Sequence, residues 1–324
     1  MSTLTIWTNA QFAEEPRAQL VEGAKPHRLV FSTQLSASNL DKAAPDPALL
    51  EADIALGQPD PDTALEAKPL RWIHLTTAGY TRYDTAEFRS AFGASGAQLS
   101  NSSGVYDEPC AEHVLAFMLA HARQLPASLD AQRTDRAWPH LARRAASRLL
   151  LGQSVVLLGF GAIGRRLAEL LAPFGAKITA VRRRPAGDEN VAVVTEDKLA
   201  EALASADHVV NILPENPATI RFVNAARLSA IKPGAVFYNV GRGTTVDQDA
   251  LLTALQSGQL GAAYLDVTDP EPLPAAHPLW SAPNCTITPH SAGGHDTEQQ
   301  RLVQHFLDNL RRFERGESLA DRVI

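Results

Sequence analysis

Three short segments in the second half of the chain end on side chains that can do chemistry: N-V-G-R-G at residues 239–243, D-P-E at 269–271 and T-P-H at 288–290. They supply a guanidinium (Arg242), a carboxylate (Glu271) and an imidazole (His290). A planar guanidinium can grip a carboxylate through two parallel hydrogen bonds. An imidazole can exchange a proton near neutral pH, and a carboxylate beside it orients the ring and favours its charged form. Together these groups suit the reduction of a 2-keto acid: a cation fixes the acid and polarises the carbonyl, an acid protonates the new alkoxide, and a hydride arrives at the other face. Gly241 and Gly243, on either side of the arginine, leave room for backbone to approach a ligand. Taken singly, each residue has a plain structural reading: a turn arginine, a loop acid between Pro270 and Pro272, and a capped histidine ahead of S-A-G-G. Their order along one chain, with Arg242 and Glu271 just after expected parallel strands, carries the chemical reading.

The hydride needs a donor, and G-F-G-A-I-G at 159–164 offers a place for one. It follows the apolar strand V-V-L-L and opens a helix, the context this motif requires. Gly159 permits the tight turn, Gly161 admits a pyrophosphate to the backbone, Gly164 lets helix and strand pack closely, and the helix N-terminus attracts phosphate charge. An NAD-selective site would carry an acid about 20 residues on, at the end of the second strand, to hold the ribose hydroxyls. That position holds Arg182, followed by Arg183 and Arg184, while Asp188 and Glu189 come after Pro185 and Gly187 and fall too late. A guanidinium there binds a 2′-phosphate and an adjacent one can stack on adenine, so NADP (NADPH) is favoured over NAD. The alternative is a solvated basic loop.

Regular alternation supplies the elements that must position these groups. Strands at Leu4–Thr8, Asp53–Leu56, Trp72–Thr76 and Gln98–Ser100 indicate a small α/β unit over the first hundred residues. Ala111–Gln124 reads as a helix, with Pro126 just past its end, that carries the chain into a second domain. There the glycine turn leads into a helix through Leu171, then strand K-I-T-A-V, helix D-K-L-A-E-A-L-A and strand H-V-V-N-I-L. Strands A-V-F-Y-N-V and A-A-Y-L-D-V follow, the second after a helix at 249–256. Parallel βαβ units in a doubly wound α/β sheet solve this pattern. A last helix, Thr297–Phe313, has Leu302, Phe306 and Leu310 on one stripe and is expected to return to the first domain, leaving a cleft between the two.

Composition narrows the partners. The 324 residues suffice for two domains, and 45% apolar content is ample for their cores. A net charge of −6 gives no basic face for nucleic acid. Two cysteines and a start with neither a basic nor an apolar leader fit the cytoplasm, and no apolar stretch approaches a membrane span. The histidines and cysteines show no H-x-x-x-H or C-x-x-C spacing, so no metal site is expected. His74 and His113 read as structural, and no G-x-S-x-G elbow or P-loop lysine motif supports hydrolase or NTP-driven chemistry.

The glycine turn, N-V-G-R-G-T-T-V-D (239–247), L-D-V-T-D-P-E-P-L-P (265–274) and T-P-H-S-A-G (288–293) resemble the D-isomer-specific 2-hydroxyacid dehydrogenases, most nearly the NADP-dependent glyoxylate and hydroxypyruvate reductases. The likeness extends to A-E-H-V-L-A-F-M-L-A-H-A-R (111–123), similar to the family's domain-linking helix, and T-T-A-G-Y (76–80), similar to its substrate-carboxylate loop. It implies a Rossmann-type doubly wound domain at 102–288 inserted into a smaller flavodoxin-like α/β substrate domain at 1–101 and 289–324. It further implies a homodimer and hydride transfer to a small 2-keto acid, giving a D-2-hydroxy acid. By position, Arg242 would bind substrate, His290 would be the acid/base and Glu271 its partner. Thr77, Ala78 and Gly79 would hold the substrate carboxylate. The cofactor would meet Gly159, Gly161, Ala162, Ile163, Gly164, Arg182 to Arg184, Leu213, Pro214, Val240, Gly241, Asp266 and Gly293, with Asp266 at the nicotinamide end. Glu271 argues against formate dehydrogenase, a relative with Gln there. The segment S-S-G-V-Y-D-E-P-C (102–110) departs from the family's commoner small-residue version. Trp138 lies near where some reductases send an aromatic into the partner's active site, and equally suits plain interface packing. Since some relatives act as corepressors, a non-enzymatic cofactor-sensing protein is the alternative class.

Overall fold

The computed structural model describes residues 3–36 and 43–324, so Met1 and Ser2 of the expected leaderless start lie outside the described residues and that expectation is not tested there. The chain divides into two compact units, Met1–Tyr106 with Gly294–Ile324, and Asp107–Gly293.

The first unit is built on five parallel strands, β1 (Thr5–Ala10), β2 (Arg28–Ser36), β3 (Ile54–Leu56), β4 (Trp72–His74) and β5 (Gln98–Ser100). Their order, β2-β1-β3-β4-β5, is that of flavodoxin-like sheets. Successive side chains along these strands enter opposite cores, and both faces are covered, as parallel sheets require. Ile6, Ile54 and Trp72 join Val303, Phe306, Leu307 and Leu310 of the helix Glu298–Glu314, while Trp7, Ile73 and Leu99 face Tyr83, Phe88 and Phe92. Trp72 stacks on Phe306 with ring centroids 5.3 Å apart. Each such fully buried side chain contributes roughly 1.5–3 kcal/mol of transfer free energy.

The second unit carries seven parallel strands: β6 (Ser154–Leu158), β7 (Lys177–Val181), β8 (Ala192–Val194), β9 (His208–Asn211), β10 (Ala235–Asn239), β11 (Leu260–Leu265) and β12 (Cys285–Ile287). The order β12-β11-β10-β9-β6-β7-β8 reverses direction between β6 and β9, the switch point outside which open α/β sheets bind ligands. β10 is buried along its whole length, which explains its uninterrupted apolar run.

Two boundaries differ from expectation. The domain-linking helix spans Ser103–Ala122 and so begins eight residues before Ala111, with Pro109 inside it. An interior proline costs about 3 kcal/mol. Anchors on the first turn offset that cost: Gly104 N donates to the Asp321 carboxylate (2.7 Å), Ser102 N to the Thr77 carbonyl (3.0 Å) and the Tyr106 hydroxyl to the Thr76 carbonyl (2.9 Å). These contacts tie the helix start to the first unit, so the boundaries fall at Asp107 and Gly294 rather than at 102 and 289.

Candidate active site

The glycine turn leaves β6 at its carboxyl end, with Gly159 at φ +96°, a conformation that L side chains rarely adopt. A Cβ on Gly164 would lie 3.1 Å from the Gly159 carbonyl, so its absence sets the close packing of helix on turn. A Cβ on Gly161 would meet open space, leaving backbone there accessible. The helix Ala162–Leu171 begins without a side-chain cap, so the amides of Ala162 and Ile163 in its first turn keep their donors for an anion. Gly241 sits so close to the next crossover that a Cβ would lie 2.7 Å from the Leu213 carbonyl. Val240 N bonds the Asn211 carbonyl at 3.1 Å, so the ends of β9 and β10 and the Leu213-Pro214 step form one surface. This donor set and this glycine cradle fit a dinucleotide pyrophosphate.

Arg182 follows β7 directly, as expected, and its guanidinium pairs with Glu189 at 2.5 Å. Glu189 therefore returns to the strand end that its sequence distance had excluded. Arg183 and Arg184 are exposed.

The turn carrying Arg242 is held through main chain. Thr245 Oγ1 donates to the Arg242 carbonyl (2.6 Å) and the Asn239 amide also reaches it (3.2 Å), while Asn211 donates to both Asn239 (2.9 Å) and Thr245 (2.7 Å). A Cβ on Gly243 would overlap the Thr268 carbonyl at 1.9 Å, so the arginine turn lies directly against the loop that leads to Glu271. Gln248 grips that loop at both ends of one residue: its amide donates to the Asp269 carbonyl and accepts from Asp269 N.

His290 and Glu271 meet, Nδ1 lying 2.8 Å from Oε2, with side chains 30% and 27% exposed. Burial by itself would raise the Glu271 carboxyl, yet the hydrogen bond and charge of His290, the Thr268 amide at 3.0 Å and the charge of Arg242 bring it below its ordinary value. An ionised carboxylate only accepts, so Nδ1 carries its proton towards Glu271 and Nε2 is the nitrogen free to exchange one. His290 itself adopts φ +51°. A non-glycine residue held there is under strain, and its surroundings over-determine it. His290 N donates to the Asp266 carbonyl (2.9 Å), and the Asp266 carboxylate accepts from Thr288 Oγ1 (2.6 Å), Ser291 N (2.9 Å) and Ala292 N (3.0 Å). Asp266, placed by resemblance at the nicotinamide, has both oxygens engaged in fixing the turn that presents His290 and ends at Gly293.

In the first unit, the loop Thr76–Gly79 turns its carbonyls into the fold. The Tyr106 hydroxyl takes that of Thr76, Ser102 N that of Thr77 (3.0 Å), the Asn101 amide that of Ala78 (2.7 Å) and Thr77 Oγ1 that of Gly79 (2.6 Å). With these acceptors satisfied from behind, the amides of Thr77, Ala78 and Gly79 are the groups the loop offers to an anion.

A family model for D-isomer specific 2-hydroxyacid dehydrogenase, NAD binding domain, matches residues 115–292. The chain belongs to this family. It is 39% identical over 234 residues to an uncharacterised protein in the proB 3′ region of Corynebacterium melassecola, covering 70% of this chain and 74% of the relative. It is 33% identical over 233 residues to the glyoxylate reductase/hydroxypyruvate reductase of Mus musculus, covering 70% of each. Among solved structures, the D-isomer specific 2-hydroxyacid dehydrogenase of Xanthobacter autotrophicus Py2, in complex with NADPH and MES, aligns with a TM-score of 0.82 at 27% identity, over 100% of this chain and 98% of that one.

As a member of this dehydrogenase family the protein is an oxidoreductase with an NAD-binding domain, and the second unit contains the matched residues. Sequence reading names Arg242, Glu271 and His290 and gives no role to the side chains that hold their turns. Asn239 and Thr245 flank Arg242 within N-V-G-R-G-T-T, a spacing that hydrogen-bonds the arginine's own carbonyl, so a local signal existed. Gln248, Tyr106 and Asn101 act across distant segments and carried none.

Proposed function

We propose that the protein is an NADPH-linked reductase of small 2-keto acids, such as glyoxylate or hydroxypyruvate, yielding D-2-hydroxy acids. The observation that carries this reading is the His290–Glu271 hydrogen bond, on a loop packed against the Arg242 turn, in a unit with the glycine cradle. The dinucleotide, when bound, supplies the hydride. Arg242 holds the acid and polarises its carbonyl. His290 delivers a proton from Nε2 to the new alkoxide while Glu271 stabilises the charged ring before transfer. The basic turn after β7 and the NADPH bound by the Xanthobacter relative support the choice of cofactor. The test is oxidation of NADPH and of NADH with a panel of 2-keto acids. Turnover with at least one acid, faster at low NADPH than at low NADH, is expected. Silence across the panel with cofactor binding retained would overturn the enzymatic reading in favour of a cofactor sensor.

The partner we assign is a second copy. Trp138, just before the helix His140–Ala146, is 88% exposed, Leu141 within that helix 71% and Leu151 beyond it 70%. Large apolar side chains left exposed along one stretch of chain support an interface there. Light scattering is expected to give twice the chain mass of 34.9 kDa, and a mass of one chain would refute the dimer.

A further inference from the structure

The loop that carries Glu271 runs D-V-T-D-P-E-P over residues 266–272, and its two prolines, Pro270 and Pro272, have no amide hydrogen with which to tie it down. Thr268 spends its own donors inside the loop: its N donates to Glu271 Oε1 (3.0 Å) and its Oγ1 to the Pro270 carbonyl (3.0 Å). Asp269 offers both its peptide groups to an outside anchor. Both go to one side chain, Asp269 N donating to Gln248 Oε1 (3.0 Å) while the Gln248 amide nitrogen donates to the Asp269 carbonyl. A primary amide suits this clamp because it carries a donor and an acceptor side by side. Gln248 also has a firm base, as the first residue of the helix Gln248–Gln256, which buries Leu251, Ala254 and Leu255. Asp247 caps that helix by accepting from Ala250 N (3.1 Å), and its own N donates to the Val223 carbonyl (3.0 Å). The clamped peptide lies two residues before Glu271, whose Oε2 is 2.8 Å from His290 Nδ1.

We propose that Gln248 is a positioning residue of the reaction: by clamping the Asp269 peptide it holds the Glu271 carboxylate against His290 Nδ1, and so keeps Nε2 as the nitrogen that exchanges the proton. This role rests on the reductase reading and acts through Glu271 rather than on the substrate. Q248A and E271A, singly and together, test it, with kcat, KM for the keto acid, cofactor Kd and Tm measured for each. Q248A is expected to lower kcat roughly 10–100-fold, the scale of a catalytic group displaced by about 1 Å, with KM and cofactor Kd within about threefold of wild type. Its Tm stays near that of the wild type, because Gln248 is partly exposed and alanine is a good helix former. In the E271A background the same change is expected to cost less than about threefold in kcat, since the carboxylate it places is gone, whereas a residue that merely stiffened the loop would cost the same in both. NMR of the His290 ring reads the contact without turnover: the Nδ1 proton held by Glu271 gives a slowly exchanging signal in the wild type that is lost in Q248A and in E271A. A Q248A kcat within about threefold of wild type, equal losses in both backgrounds, or an Nδ1 signal unchanged in Q248A overturns the proposal. A wild type silent across the keto-acid panel overturns the reductase reading, and the Nδ1 signal then decides the clamp by itself.

Discussion

His290→Ala is expected to lower turnover by roughly 10²–10⁴-fold, the usual contribution of a positioned general acid, with the cofactor Kd unchanged. The two readouts separate because of how the residue is held. Among the described residues its ring bonds only Glu271, while the turn that carries it is fixed through main chain by the Asp266 carbonyl and carboxylate. Removing the ring therefore deletes the proton donor and leaves the turn in place. Glu271, at 27% exposure, can hydrate once its partner is gone, which limits the structural cost. Single-turnover hydride transfer and a cofactor titration by fluorescence check both halves. Turnover within tenfold of wild type would remove His290 from the chemistry.

Replacement of Arg242 with Met is the second large effect, a loss of roughly 10²–10³-fold in kcat/KM divided between a higher KM for the keto acid and a slower hydride step. A residue that only bound the carboxylate would raise KM and leave kcat alone, so the split reports polarisation of the carbonyl. The turn should survive, because Asn239, Thr245 and the close approach at Gly243 hold the arginine by its backbone. R242K is expected to recover little, since an ammonium cannot reproduce the two parallel bonds of the fork. Values of kcat and KM both within about threefold of wild type would refute the assignment, because a charged donor at the reacting group contributes more than that.

Legibility in the sequence tracked the range of the interaction. The glycine turn was readable because strand, turn and helix are contiguous, and each glycine answers to a local requirement: a positive φ at Gly159 and close packing at Gly164. Five of the seven strands of the second unit were readable for the same reason, as buried parallel strands are apolar runs, whereas β8 and β12, short and without a fully buried residue, were not. The start of the helix Ser103–Ala122 was not, because Pro109 argues locally against it and the anchors that override the proline come from Thr77 and Asp321.

Side-chain type and spacing alone supplied the kit of Arg242, Glu271 and His290 and the dinucleotide turn, since chemical capacity belongs to the residue itself. Contact belongs to the fold. Only the tertiary structure brought Nδ1 of His290 to the Glu271 carboxylate, put Asp266 behind the histidine turn, and returned Glu189 to Arg182 across a reversal that counting residues had set aside. The physical reason is common to all three: a hydrogen bond depends on distance in space, and sheet topology and a glycine reversal set that distance independently of separation along the chain.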